Sequence, residues 1–457
     1  MKNEYKLSFF ATLTMATGFT IGSGIITQTG IGIAMTGRSI FLAFPVAAIL
    51  YLICFRPIII LSSVLPSTSA SYVYTKTLLS PEAGGLYVYI FFLGRITIAI
   101  FGISFVQYLS SIVPIFGDPI LSKITAIGVL SLFFIINLFG VKMASIIQNT
   151  MFFILLAGLV TFVFFGIGKI SPNFFSTATL FTNGFKGFYS AVSLLFFAVG
   201  GSYIITDFAP GIKNSKTVIP KIIGFVTIGV CILYMLLGIV GSGIIPVEEA
   251  AGKPLTLAAR SVFSSHEALF IFFVVGGCLG ALVTTLNSSF VWYSHSLINA
   301  CREGWLPASW AKLNKRGVPY RLMSIFYLFG FIPTLFGVDL TVLSKMAIGL
   351  TIMSAYLPML SIINLPKIYP KEWADSKYAK QYPTWRIRIM VCISSIIMLT
   401  QVVALFASNP VASNIIIIVY IMSVSLYLIL RYQMQKKKRL QAELNRELQV
   451  NIQQEIK

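Results

Sequence analysis

Charge is what this sequence has least of: 11% of its 457 residues are Asp, Glu, Lys or Arg, where soluble domains carry about 25%. With 57% apolar residues and a mean hydropathy of +0.87, too little polar material is present to clothe a water-soluble surface, and a soluble domain is excluded. Cysteine is sparse as well. Cys54, Cys231, Cys278, Cys301 and Cys392 fall within or at the ends of apolar runs, and none makes a CxxC spacing. Neither a disulfide framework nor a metal site is therefore indicated. No nucleophile stands beside a base and no phosphate loop occurs, so no enzyme chemistry is expected. A cleavable signal pattern is also missing. The first apolar run is too long and continues without a small-residue cleavage site, and it is expected to stay as a membrane span.

What is present is a series of apolar runs, each long enough for the roughly 20 residues that cross a ~30 Å hydrocarbon layer. Twelve are expected, near 7–36, 39–64, 84–113, 119–139, 144–167, 187–209, 218–242, 266–300, 321–337, 339–364, 387–408 and 411–431. The net charge of +20 does not indicate nucleic acid, because the basic residues are spread among loops rather than gathered into one stripe. Topology accounts for them better. With a cytoplasmic N-terminus, 25 of the 34 Lys and Arg fall in inner segments, as the positive-inside rule requires. Arg38, Lys169, Lys186, Lys253 and Arg260 lead the exceptions. Both termini are thus expected in the cytoplasm of a multi-pass plasma-membrane protein, with the inner cations suited to anionic membrane lipid.

Between the spans, the stretch from Pro246 to Arg260 is expected to form a short surface helix, since Glu248 and Glu249 follow a proline at a plausible start. In the tail, Lys436, Lys437, Lys438 and Arg439 precede Leu440, Leu444 and Leu448 at a spacing of four. That pattern fits an amphipathic helix, and equally a solvated extension of the last span.

Two spans carry glycine pairs where an unbroken helix would be expected: Gly18-Phe19-Thr20-Ile21-Gly22-Ser23-Gly24-Ile25 in the first, and Phe196-Phe197-Ala198-Val199-Gly200-Gly201-Ser202-Tyr203 in the sixth. Small residues in membrane helices often serve close packing. Their placement five spans apart favours paired broken helices instead, the best sequence pointer to a transporter binding site. A glycine costs ~1 kcal/mol inside a helix, and bare backbone groups survive at bilayer depth only where they line a cavity. Interrupted helices expose amides that favour anions and carbonyls that favour cations. Two side by side make a receptor for a zwitterion. Its carboxylate is expected at the amides of Ser23, Gly24 and Ile25, and its ammonium at carbonyls near Ile21, Phe197, Ala198 and Gly200.

The break Gly22-Ser23-Gly24-Ile25 resembles the GSGI signature of the amino acid, polyamine and organocation (APC) permeases. Phe196 to Pro220 is similar to that family's sixth helix and its following KNPxxxIP loop. Pro66-Ser67-Thr68-Ser69-Ala70-Ser71-Tyr72-Val73-Tyr74 is similar to its P-x-A-G-x-Y-x-Y, and Asn287 with Arg302-Glu303-Gly304-Trp305-Leu306-Pro307 resembles the end of its eighth helix. The resemblance covers roughly residues 8 to 431. It implies an all-α membrane fold, the 5+5 inverted repeat of the bacterial leucine transporter with helices 1 and 6 broken. Repeat one would occupy about 7–167 and repeat two about 187–364. Two extra helices at about 387–431 and a cytoplasmic tail at 432–457 would complete a single transport domain.

Departures from the pattern bear on the substrate. Pro210 and Gly211 stand where the family usually has two acids, and Ser215 where it has proline. In its arginine and polyamine branches a carboxylate on span six reads the cationic side chain, and the matching position here is Tyr203. A cationic substrate would then bury an unpaired charge, which favours a neutral one. The resemblance also implies an aromatic gate at Phe196 or Phe197.

Charges at bilayer depth are expensive and functional by default. Arg95, near the middle of span three, has three roles open to it: facing the cavity, binding a substrate carboxylate, or standing in for a coupling cation. Pairing with Asp207 or with backbone carbonyls is the structural alternative. Arg56 is expected to snorkel toward the inner surface. Asp207 is either part of a cytoplasmic gate or a solvated helix end. His295 replaces an arginine of resembling permeases, and is either a titrating group or a structural hydrogen-bonder. Aligning Gln148-Asn149 with the family's QN puts Leu155 where some members carry a lysine in place of sodium. A sodium site would need carbonyls of Gly18 and Ile21 with oxygens of Thr284, Asn287 and Ser288, which share one helix face. No cofactor is expected beyond a coupling ion, sodium or proton.

The expected function is secondary transport of a small-molecule amino acid by alternating access. An amino acid/amine exchanger is the runner-up, and a non-transporting sensor or a channel a more distant one. Symport against antiport, and monomer against homodimer, stay open.

Overall fold

The computed structural model describes residues 6–407 and 409–455, and the side chains of these except 23, 27, 141–149 and 435–455. Helices dominate, and among the described residues β-structure amounts to isolated bridges. Among the described residues, ten spans are long and apolar enough to cross a membrane, from Phe9–Ile26 to Val411–Met434. The bent pair Gly184–Val199 and Gly201–Asp207 makes an eleventh crossing, and the segment expected at 321–337 is the shorter apolar helix Tyr320–Phe336. Helix starts are set by loop-side caps. Asp118 accepts from the amides of Ile120 and Leu121, Asp339 from those of Thr341 and Val342, and Ser80 from that of Ala83. Each satisfies donors that a helix leaves bare.

Burial sorts the spans into a core and a rim. Ile40–Val64, Pro81–Leu109 and Leu340–Ile368 have most of their residues buried, whereas Pro119–Leu138 and Val411–Met434 turn most of their length outward. Ile120, Ile124, Val411 and Ile416 are among the exposed side chains. Branched aliphatics on an outer face are what a hydrocarbon solvent requires, since lipid exerts no penalty on them.

Several spans depart from the straight rods their composition suggests. Span one is two helices, Phe9–Thr20 and Ser23–Thr36, separated by Ile21 and Gly22 in non-helical conformations. Span six bends by 41° at Gly200 and continues as a 3₁₀ turn over Gly201–Asp207. Span three breaks at Arg95, between Pro81–Gly94 and Thr97–Leu109. Span eight passes through a π-helical stretch, Phe273–Leu279. There Gly158 of span five approaches so closely that a β-carbon on it would lie 2.6 Å from the Gly277 nitrogen.

Two expectations need correction. The single helix expected from Pro246 to Arg260 is two, Val247–Ala250 and Thr256–Val262. Gly252, at a φ of +70°, and Pro254 separate them, and the Gly252 amide donates to the Gly30 carbonyl of span one (2.8 Å). Asp207 is not a solvated helix end but is 6% exposed. In the tail, the last span continues as one helix, Val411–Glu455. The side chains of Lys436, Lys437, Lys438, Arg439, Leu440, Leu444 and Leu448 lie outside the described residues, as do those of Gln148 and Asn149.

Candidate functional site

A central cavity lies where the two breaks meet. Close approach of backbone builds it. A β-carbon on Gly24 would lie 2.6 Å from the Ala198 Cα, and one on Gly201 would lie 2.2 Å from the Phe19 carbonyl oxygen. A β-carbon on Gly22 would meet the Thr285 hydroxyl of span eight. These glycines therefore serve both of the readings weighed for them, unwinding at Gly22 and close packing at Gly24 and Gly201.

Of the expected substrate residues, Gly22, Gly24, Phe197, Ala198, Gly200, Gly201 and Tyr203 line the cavity, as does the gate candidate Phe196. Ile21 and Ile25 turn their side chains into the core, 2% and 0% exposed, and contribute only backbone. Ser23 begins the second half-helix with Gly22 as a cap lacking any side-chain bond. The first-turn amides of Ser23, Gly24 and Ile25 thus have no intrahelical acceptor and carry the positive end of the helix dipole. At the facing end, the Thr20 carbonyl accepts from the Tyr234 hydroxyl (2.9 Å), and the Phe197 carbonyl accepts from the Gly200 amide (3.1 Å).

Sequence reasoning missed the two tyrosines that hold the breaks. Tyr234 fastens the end of the first half of span one. Tyr51 accepts from the Tyr203 amide (3.1 Å) and shares a hydrogen bond with the Ser202 hydroxyl (3.3 Å), fastening the bend of span six. A buried hydrogen bond contributes about 1 kcal/mol, and an orphaned partner costs roughly 1–3. Tyr51→Phe and Tyr234→Phe should therefore each lower the unfolding midpoint in detergent by a few degrees. Each should weaken substrate binding by about tenfold, read by thermal shift with and without substrate. The remaining wall was also illegible: Phe55 and Phe101, Thr285 and Ser289, Trp292 and Tyr293, Thr351 and Ile352. They come from spans two, three, eight and ten, where nothing in their local sequence marks them.

Arg95 stands just behind this wall, 1% exposed. Its Nε donates to the Phe91 carbonyl (3.1 Å) and its Nη2 to the Thr351 hydroxyl (3.4 Å). The guanidinium lies over the rings of Phe91, Trp292 and Tyr293, at 4.1, 4.9 and 4.9 Å from their centroids. No carboxylate is in ion-pairing distance among the described residues. Asp207 takes different partners. Its carboxylate accepts from the Ser71 amide (3.2 Å), the Trp292 indole N–H (2.9 Å) and the Ser296 hydroxyl (3.3 Å). Trp292 thus presents its face to the cation and its N–H to the anion, and it also lines the cavity.

Further contacts tie the half-helices to their neighbours on either side of the cavity. Beyond Asp207, Phe208 stacks on Phe19 at 6.3 Å and Leu7 pairs with the backbone of Gly211 and Lys213. At the opposite end the Tyr108 hydroxyl donates to the Ile26 carbonyl (2.6 Å) and accepts from the Leu255 amide (3.1 Å).

The remaining candidates lie elsewhere. His295 bonds through Nδ1 to the Val291 carbonyl of its own helix (2.8 Å) and does not line the cavity. Thr284 donates to the Ala281 carbonyl, while Asn287 accepts from Asn137 of span four (3.0 Å). The face of span eight turned to the cavity is that of Thr285 and Ser289 rather than Thr284, Asn287 and Ser288. Gly18 is buried in the first half-helix. Leu155 is fully buried, an apolar side chain against span eight at Gly280.

A family model for amino acid permeases matches residues 7–441. The chain belongs to the amino acid permease family. As a member it is a multi-pass membrane transporter of amino acids. The permease is 26% identical over 391 residues to the branched-chain amino acid permease BcaP of Bacillus subtilis, across 80% of this chain and 82% of that protein. It is 25% identical over 318 residues to an uncharacterized protein of Methanocaldococcus jannaschii, across 67% and 71%.

Proposed function

We propose that this permease carries neutral amino acids with apolar side chains across the plasma membrane by alternating access, with both termini in the cytoplasm. The observation that carries this reading is the composition of the cavity wall. Aromatic and aliphatic side chains dominate it, hydroxyls supply its polarity, and no charged side chain is among them. A lysine or arginine side chain would be buried there without a counter-charge, at a cost of several kcal/mol. The Arg95 guanidinium, which lies over the wall residues Trp292 and Tyr293, repels a cationic side chain as well. The bare amides of Ser23, Gly24 and Ile25 take the α-carboxylate, and the carbonyls at Ile21 and Ala198 take the α-ammonium. Phe196 and Phe197 cover the side chain. The likeness to BcaP, whose name specifies branched-chain amino acids, supports the same substrate class.

Uptake of labelled leucine into proteoliposomes tests this. Unlabelled isoleucine, valine and phenylalanine should compete, and lysine and glutamate at the same concentration should not. Strong competition by lysine would overturn the neutral assignment. Running the assay with imposed sodium and proton gradients, and with amino acid in the lumen, separates symport from obligatory exchange.

A further inference from the structure

A second cavity lies outside the transport path, on the lipid-facing seam between span two (Ile40–Val64) and span eleven (Thr384–Ala407). The two helices are joined there by the Ser394 hydroxyl, which donates to the Ile53 carbonyl (3.3 Å). The floor of the groove is apolar, formed by Leu52 and Ile53 with Ile389, Met390 and Ile393. Ile389 and Ile393 are about half exposed, so the groove opens to the hydrocarbon rather than to another helix.

Its mouth is cationic and aromatic. Arg56 and Arg386 line it together with Tyr382 and Trp385, and no carboxylate does. Arg56 originates inside span two, eight residues before the helix ends at Val64, and reaches toward the membrane surface. Its Nε donates to the Tyr382 hydroxyl (3.1 Å), with the rings of Tyr378 and Tyr382 at 5.8 and 5.7 Å. Arg386 gives one N–H to the Gln381 carbonyl (3.1 Å) and lies over Trp385. A guanidinium has five N–H donors, so both retain donors for an anion. Two arginines with spare donors above a hydrocarbon slot, framed by a Trp and a Tyr at interfacial depth, match the chemistry of a phosphodiester carrying acyl chains.

We propose that this groove is a specific site for one anionic phospholipid, with an acyl chain along Ile389 and Ile393 and the headgroup phosphate on Arg56 and Arg386. A free phosphate would leave the apolar floor uncovered, and a zwitterionic lipid would bring its own ammonium against the two arginines. The bound lipid fastens span eleven to span two, whose Tyr51 holds the bend of span six.

Native mass spectrometry of the full-length protein in mild detergent, titrated with phosphatidylglycerol or phosphatidylcholine, tests the site. The wild type should retain phosphatidylglycerol at least tenfold better than phosphatidylcholine. Arg56→Gln with Arg386→Gln should lower phosphatidylglycerol retention by tenfold or more, whereas Lys371→Gln with Lys377→Gln on the same loop should not. Ile393→Trp, which fills the slot without altering charge, should lower it too and guards against misfolding of the double variant. Equal retention of the two lipids, or unchanged phosphatidylglycerol in both groove variants, would reduce the groove to ordinary annular contact. Displacement of the lipid by equimolar glycerol phosphate would show a free-anion site instead and would equally overturn the proposal.

Discussion

Gly24→Leu should abolish amino acid uptake while leaving the protein in the membrane at near-normal amounts. The obstacle to any side chain at Gly24 is backbone. A β-carbon there would lie 2.6 Å from the Ala198 Cα and 2.8 Å from its Cβ, atoms fixed by the helix Gly184–Val199. The variant can be accommodated only by separating the two breaks. Overpacking of this kind typically costs 1–3 kcal/mol, and at the upper end that is about a hundredfold in affinity. The span's apolar length is unchanged, so insertion should proceed. Proteoliposome uptake, normalised to the amount of protein in the bilayer, measures the effect. Uptake within twofold of wild type would mean that contact between the breaks is dispensable.

Arg95→Ala is the second large effect. The guanidinium is held by one carbonyl, one hydroxyl and three aromatic faces, two of which belong to the cavity wall. Cation–π contacts reach ~2 kcal/mol or more each when desolvated. Removing the cation frees Trp292 on one side while Asp207 still pulls on its indole N–H from the other. Transport should fall at least tenfold with little change in expression. Arg95→Lys, which keeps the charge but not the planar fork, should restore part of it. The variant should also lose discrimination: with the cation behind the wall removed, a cationic side chain in the cavity meets less repulsion, so lysine should become a measurable competitor. An unaltered rate and unaltered selectivity would demote Arg95 to a packing role.

Sequence and structure agree where the physics is local or periodic. Long apolar runs dictate membrane helices regardless of their neighbours, and Gly22, Gly24, Gly200 and Gly201 mark the breaks because no other residue tolerates such approach. Agreement fails where the cause is tertiary. Tyr51, Tyr234 and Trp292 look like ordinary apolar-face aromatics in sequence, and only the fold brings their hydroxyls and N–H to Tyr203, Thr20 and Asp207. The rotation of span eight is set by packing rather than by local sequence, and it turns Thr285 and Ser289 to the cavity. Asp207 was ambiguous because its partners Ser71, Trp292 and Ser296 are far off in sequence.

Binding of trimmed ligands tests the receptor itself. Calorimetric titration of the purified permease with leucine should be compared with titrations using isopentylamine, which lacks the carboxylate, and 4-methylpentanoate, which lacks the ammonium. If uncapped amides and carbonyls at the two breaks each hold one charged end, leucine binds and both analogues lose at least tenfold in affinity. If either analogue binds as tightly as leucine, the corresponding half-helix terminus does not hold the substrate and the account of the site is wrong.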